Sequence, residues 1–335
     1  MSETGNSRKR QRAESPSFTR QVSSASLSLI INHDPPEEPH QQQPQIISSP
    51  TFHAQVEPRP QSPMRLEPNL FGPRPAEDIV RVVADFIYTH MKDRTNLEIE
   101  GKLGRLVDRK TKQRIALPVL SETVLADDKD LRFESDMTLQ QHAMFNKILN
   151  QRVDETRRPE HRGSRVEYRH TKEIDHFYRV DGTRVRVTTN KESGEIISVI
   201  TKNRIADLNI YSPRTKLDIR ISINEELTMA KPDMETNKAI LERHKDRLSY
   251  KQDLWSIDLT QVISPEQEKG PANPYALGPP KTTPATTTHE LEVEVANPQA
   301  WLAERAKVAA GKPNNFHEIT HTFLGNLRAL AKRAI

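Results

Sequence analysis

From about residue 76 onward the hydrophobic positions follow two periods. Ile79, Val80, Val83, Phe86 and Ile87 recur at three- and four-residue spacing and predict a helix over 76–93. Met144, Phe145, Ile148 and Leu149 predict a second helix over 139–153, and a third is expected over 316–332. Between the helices the period drops to two. In Leu97-Glu98-Ile99-Glu100-Gly101-Lys102-Leu103, the residues Leu97, Ile99 and Leu103 share one face and Glu98, Glu100 and Lys102 the other. Near the far end, Leu291, Val293 and Val295 alternate with Glu290, Glu292 and Glu294. The segments between carry mostly the opposite sign. Arg184 and Arg186 oppose Val185 and Val187, and Lys202 pairs in phase with Arg204. Asp218, Arg220 and Glu226 lie opposite Leu217, Ile219, Ile221 and Ile223. Lys245, Arg247 and Lys251 share a phase, as do Ser256, Asp258 and Thr260.

At least seven strands are therefore expected, each with one apolar and one charged face. Glutamate is a poor strand former, and neighbouring charges ~7 Å apart repel by about 2 kcal/mol at an effective dielectric of ~20. Two packings satisfy the pattern. In one, the charges face solvent and the apolar faces meet in a sandwich. In the other, the sheet closes into a barrel whose apolar side packs outward on helices and whose charges line the lumen. In the second case acidic strands would face basic ones, an arrangement that suits a divalent cation held by hard oxygen ligands beside a polyphosphate.

Composition narrows the classes further. The chain has 335 residues with 34% hydrophobic and 29% charged positions, and a mean hydropathy of −0.76. In the barrel reading a charged lumen would account for so low an apolar fraction. Residues 1–75 hold twelve of the 24 prolines and the run Gln41-Gln42-Gln43, which reads as a disordered tail ahead of a folded part over 76–335. Within the tail, Val22 to Asn32 reads either as a partner-binding segment or as a mildly apolar stretch. Arg8-Lys9-Arg10 with Arg12 reads either as a nuclear import signal or as a solvated charge run. A second Pro- and Thr-rich piece, 264–288, reads as a long loop between two neighbouring strands. No apolar run approaches the length of a membrane span, and no secretory h-region is present. Cysteine is absent, which removes disulfides, thiol nucleophiles and cysteine-held zinc. The net charge of +4 is modest, so an anionic partner must be held by a local cluster.

The ordered set of motifs resembles the triphosphate tunnel metalloenzymes, and is most similar to the fungal-type RNA 5′-triphosphatases, the β subunits of mRNA capping enzymes. The likeness rests on Leu97-Glu98-Ile99-Glu100-Gly101-Lys102-Leu103-Gly104, on Lys110 to Ile115 with Pro118 to Glu122, on Gln141 to Asn146, and on Glu290-Leu291-Glu292-Val293-Glu294. It spans about Ile79 to Ala329 without the 264–288 loop. The resemblance implies an α+β fold: a closed antiparallel β-barrel, the triphosphate tunnel, with a charged lumen and flanking helices. It implies metal-dependent hydrolysis of the γ-phosphate from 5′-triphosphate-ended RNA, the first step of cap formation. It assigns metal binding (Mg2+ or Mn2+) to Glu98, Glu100, Glu290, Glu292 and Glu294. Glu226, Arg186, Lys202 and Arg247 would carry catalysis. Lys102, Arg184, Arg220, Lys245 and Lys251 would contact the triphosphate, with Asp258 and Thr260 in support. It implies a guanylyltransferase partner (the capping enzyme α subunit), a homodimer and a nuclear location. Two positions depart from the family pattern. Leu103 stands where an aromatic residue is usual, and Ser256 where an arginine is usual, so Lys251 is expected to stand in for that arginine. A tripolyphosphatase or nucleoside triphosphatase with the same tunnel is the rival enzyme reading. A non-catalytic β module that binds RNA ends is the rival of another class, though five phased glutamates give a simple anion binder no advantage.

Overall fold

The computed structural model describes residues 77–92, 94–233, 237–269 and 281–334. The expected tail over 1–75, with its basic cluster and the Val22–Asn32 segment, lies outside the described residues. The elements run α1 (Asp78–Met91), β1 (Leu97–Asp108), β2 (Thr123–Val124), β3 (Leu131–Glu134), α2 (Leu139–Arg157), β4 (Glu167–Val180), β5 (Thr183–Asn190), β6 (Ile196–Tyr211), β7 (Asp218–Thr228), β8 (Leu241–Gln252), β9 (Trp255–Ser264), β10 (Gln267–Lys269), β11 (Lys281–Thr283), β12 (Thr286–Val295), α3 (Pro298–Ala309) and α4 (Phe316–Ala331).

Eight strands close on themselves in the order β12-β9-β8-β4-β5-β6-β7-β1, and β1 pairs back onto β12. Every pairing around the ring is antiparallel. The short β3 extends β1, and β2 adds to β6. The barrel is thus the second of the two packings that the alternation allows. Its outer face on β1, β7 and β12 carries Ile99, Leu103, Ile219, Ile221, Leu291 and Val293. They share one buried cluster with Val83 and Ile87 of α1, Trp301 of α3, and Phe323, Leu324 and Leu327 of α4. Each such side chain contributes roughly 1.5–3 kcal/mol on burial, so the helices hold the barrel by its apolar outside. Gly101 sits on this face where α4 comes closest: a Cβ there would lie 2.4 Å from Leu327 Cδ1. That contact is the physical reason for glycine inside the Glu-Ile-Glu-Gly-Lys run.

The loops follow local chemistry. Asp181 and Gly182, both with positive φ, make the two-residue turn between β4 and β5, whose register closes at Val180 and Thr183. A capping box starts α2: Thr138 Oγ1 accepts from the Gln141 N–H at 3.2 Å, and Gln141 Oε1 from the Thr138 N–H at 3.0 Å. The helix continues to Arg157, one turn beyond the expected end, because Val153 and Thr156 remain buried. The excursion between β1 and α2 lies along β1 and β6, to which β3 and β2 pair. Its anchor is Asp218, fully buried. Asp218 accepts from Arg114 Nε and Nη2 at 2.9 and 2.6 Å, and from the N–H groups of Leu106 and Ser212 at 2.8 and 3.0 Å.

Three elements depart from expectation. Strand β4 and helix α3 carry no clear periodic signal, since only Trp301 of α3 is buried. The piece read as a loop over 264–288 is shorter than expected. Here β9 and β12 pair continuously from Val295–Trp255 to Thr286–Ser264, and β10 and β11 form a small ladder of their own.

Candidate active site

Because register partners point to the same side of a sheet, the ladders define the lumen directly. Glu100 stands opposite Glu294 and Lys102 opposite Glu292 across β1–β12. Glu98 faces Asn224 on β7, and Lys202 on β6 faces Glu226. On the far wall Arg186 faces Phe177, Lys245 faces Glu173, and Arg247 faces Thr260. The enclosed cavity measures about 1000 Å3, and both charge signs line it.

The acidic wall divides in two. Carboxylate oxygens of Glu98, Glu100 and Glu294 lie within 4.8 Å of one another. Glu292 is instead hydrogen-bonded by Lys102, whose ammonium also stands 3.3 Å from Glu100. Burial alone would raise the Glu292 pKa, but the charge and hydrogen bond of Lys102, with Arg247 and Lys202, hold it down to about 2. Glu294 has no such partner among the described residues. Burial first, then the charges of Glu292, Asp258 and Glu98, raise its pKa well above the ordinary value. Glu100 is raised too, mainly by burial. Glu290 lies farther along the tunnel, 3.7 Å from Arg243, and accepts a hydrogen bond from Ser135 Oγ at 3.4 Å.

The basic wall is wired to these acids. Lys202 contacts Glu98 and stands 3.5 Å from Glu100 and 3.8 Å from Glu226. Arg186 Nη2 donates to Glu226 at 3.2 Å. Arg247 stands 3.3 Å from Asp258, which also accepts from Ser256 Oγ at 2.9 Å. Lys245 is buried between Glu173 at 2.9 Å and Asp175 at 3.1 Å. The Nε atoms of Arg186 and Arg247, Thr260 Oγ1 and Asn224 Oδ1 are buried without a hydrogen-bond partner.

Those orphaned atoms test the fit of a metal and a polyanion. Asn224 donates through Nδ2 to Glu98 at 2.9 Å and Glu100 at 3.1 Å, leaving its Oδ1 as a spare acceptor beside the three-carboxylate cluster. A set of hard oxygens carrying excess negative charge suits a divalent cation. Spare guanidinium donors on the opposite side suit phosphate oxygens. The residues present therefore fit both groups.

Two expected contacts do not reach the cavity. Arg220 Nε donates to Asn209 at 2.8 Å, its Nη1 stands 3.3 Å from Asp207, and the Phe133 ring covers it at 4.8 Å. Lys251 pairs with Ser256 across the ladder but is exposed, so Arg247 and not Lys251 supplies the cation beside Asp258. Leu103 is fully buried on the outer face, so its departure from an aromatic residue bears on packing and not on the lumen. Arg243, Glu173, Asp175 and Asn224 also line the cavity and have no place in the sequence-based set. Arg243 shares the phase of Lys245 and Arg247, which is a usable signal. Glu173 and Asp175 lie on β4, whose outward positions His170, Lys172 and His176 are polar, so Ile174 between them is too little alternation to mark them.

The sequence pattern of the family described as "mRNA capping enzyme, beta chain" matches residues 73–335. The chain is 32% identical over 278 residues to the mRNA-capping enzyme subunit beta of Schizosaccharomyces pombe, covering 80% of this chain and 85% of that protein. It is 32% identical over 272 residues to the protein of the same name in Cryptococcus neoformans, covering 79% of this chain and 64% of that one. The fold superposes on the solved structure of S. pombe Pct1 RNA triphosphatase with a TM-score of 0.70 at 30% identity, covering 81% of this chain and 99% of that one.

Proposed function

The chain belongs to the family of the mRNA capping enzyme β chain, and on that footing we propose that it is an RNA 5′-triphosphatase: it removes the γ-phosphate from 5′-triphosphate-ended RNA and leaves a diphosphate end for guanylyl transfer. The observation that carries this reading is the lumen, in which the Glu98, Glu100 and Glu294 carboxylates face arginines with spare donors. In the same reading the partner is the guanylyltransferase subunit, the chain acts as a homodimer, and the site of action is the nucleus. No helix among the described residues is long and apolar enough to cross a membrane.

Glu98, Glu100 and Glu294 would hold the metal, Mg2+ or Mn2+, with Asn224 steadying the first two. Bound there, such an ion supplies positive charge to the γ-phosphate oxygens. The chain's own residues do the rest. Arg186 and Lys202 neutralise charge on the transferring group, and Arg247 offers its spare Nε–H to the same polyanion. Glu226, within reach of both Arg186 and Lys202, accepts a hydrogen bond from the attacking water and takes its proton as the new P–O bond forms. The bond from the γ-phosphorus to the bridging oxygen breaks, and its electrons stay on the β-phosphate. This chemistry needs positioning and charge more than covalent help. Lys245, neutralised by Glu173 and Asp175, shapes the wall.

The test is release of labelled γ-phosphate from triphosphate-ended RNA with and without added metal. Glu98→Ala is expected to abolish release while circular dichroism stays unchanged. An active Glu98→Ala protein would refute the assignment. Faster turnover of free tripolyphosphate than of RNA would point to the rival enzyme reading.

A further inference from the structure

We propose that the RNA body leaves the tunnel through the opening at the β4–β5 turn, where its phosphodiester backbone docks on Arg179, Arg184 and Arg243. The proposal rests on the triphosphatase reading and goes beyond it by fixing how the substrate lies.

The two openings differ in charge. At the β4–β5 end, Arg179 and Arg184 are register partners on inward-facing positions. The Arg184 guanidinium lies over the Phe177 ring, 4.1 Å from its centre. Neither arginine has a carboxylate partner among the described residues, and Arg243 has only Glu290 at 3.7 Å. Burial first, then the charges of Arg243, Arg179 and Arg186, lower the pKa of Arg184. Arg179 and Arg184 are thus held together at one opening without a carboxylate partner among the described residues, and Arg243 shares Glu290 beside them, which suits a polyanion backbone. The other opening is a cavity of about 580 Å3 in which Arg169 and Lys172 are mixed with Glu192 and Glu195. It presents no comparable excess of one sign.

The tunnel's interior has the matching polarity. On β12 the cluster residue Glu294 and the mouth residue Glu290 are four positions apart, about 13 Å along a strand. Glu290 approaches Arg243, which belongs to the arginine end. A γ-phosphate placed at the carboxylate cluster therefore leaves the α-phosphate and the following nucleotides pointing toward Arg179 and Arg184.

The test uses the full chain as wild type, Arg179→Ala and, at the opposite opening, Arg169→Ala. Binding of a labelled 5′-triphosphate oligoribonucleotide is followed by fluorescence polarisation against salt. Steady-state kcat/KM is measured with metal on the same RNA and on ATP, which carries a triphosphate but no phosphodiester backbone. Arg179→Ala is expected to weaken RNA binding about fivefold and to lower the log–log salt slope by about 0.7. The ratio of kcat/KM on RNA to kcat/KM on ATP should fall by the same factor, through KM. An Arg179→Ala protein that binds and turns over RNA like wild type overturns the proposal, as does a selective loss in Arg169→Ala. If wild type hydrolyses neither substrate, the triphosphatase reading fails, and polarisation still decides the docking.

Discussion

Glu294→Gln is expected to stabilise the metal-free protein at neutral pH while destroying its metal-dependent activity. The Glu294 carboxylate lies within 4.8 Å of Glu98 and Glu100. Burial, and then Glu292, Asp258 and Glu98, lift its pKa well above the ordinary 4.5, against a smaller pull from Arg247. In the unfolded chain the same side chain is ionised at pH 7. Folding without metal must then crowd another charge into the lumen or take up a proton. The second route caps the penalty: about 1.4 kcal/mol per pH unit between the ordinary pKa and neutrality comes to roughly 3 kcal/mol. The isosteric amide escapes that cost. The sign is fixed by linkage. A raised carboxylate pKa makes the folded state the tighter proton binder, so wild type recovers stability as pH falls. The advantage of the variant therefore shrinks toward zero as pH approaches 4.5. For a domain of this size roughly 3 kcal/mol corresponds to about 6–12 °C in Tm. The assay is thermal and urea unfolding in chelator at neutral and mildly acidic pH. Added Mg2+ or Mn2+ should then raise the Tm of wild type far more than that of the variant, because a ligand stabilises only the state that binds it. A Glu294→Gln protein no more stable than wild type in chelator at pH 7 would refute the reasoning.

Two further outcomes concern the scaffold. Asp218→Ala strands the Arg114 guanidinium and two backbone N–H groups, and should cost about 3–5 kcal/mol in urea unfolding; near-wild-type stability would contradict the anchor described here. Burial, and then His289, holds His142 down to about 4 from an ordinary 6.5, so the unfolded chain protonates first as pH falls. Stability from this source is lost between those two values, and His142→Phe should flatten that acid-side slope, read from urea midpoints across the range.

The alternation of single strands made most of this fold legible. Residues 97–103 and 290–295 announce their two faces because leucine, isoleucine and valine alternate with charge, interrupted only by Gly101. The same strands name the lumen, since a charged face repeated on neighbouring strands has few places to go. The closure was not visible in the period, because a sandwich and a barrel share it; only the family resemblance pointed to the closed barrel that the ladders show. Strand β4 was hidden for a different reason. Its outward face mixes Tyr168, His170, Lys172 and His176 with Ile174, Tyr178 and Val180, so the alternation around Glu173 and Asp175 is too broken to mark them. Arg220 misled because phase assigns a face but not a depth. It points inward, yet the Phe133 ring from the β1–α2 excursion covers its guanidinium and Asn209 and Asp207 hold it. Such cover comes from sequence-distant chain and leaves no trace in strand periodicity.

The charge of the lumen explains why metal and substrate belong together. Eight acidic and eight basic side chains line the cavity, so it is formally neutral. Its acids and bases satisfy one another where they can: Lys102 with Glu292, Lys202 with Glu98, and Lys245 with Glu173 and Asp175. A divalent ion alone would leave the cavity positive, and a triphosphate alone would leave it strongly negative. Both would act in a confined space where the effective dielectric is low. Bound together, the ion would offset about half of the charge that the triphosphate brings, with the ion on the carboxylates of Glu98, Glu100 and Glu294 and the phosphates on Arg186, Lys202 and Arg247 in the proposed reading. Each ligand thereby improves the site for the other, and linkage requires the two effects to be equal. The interleaved glutamates thus make a site that a basic phosphate binder could not, one in which a cation held by the walls offsets part of the charge of the polyanion.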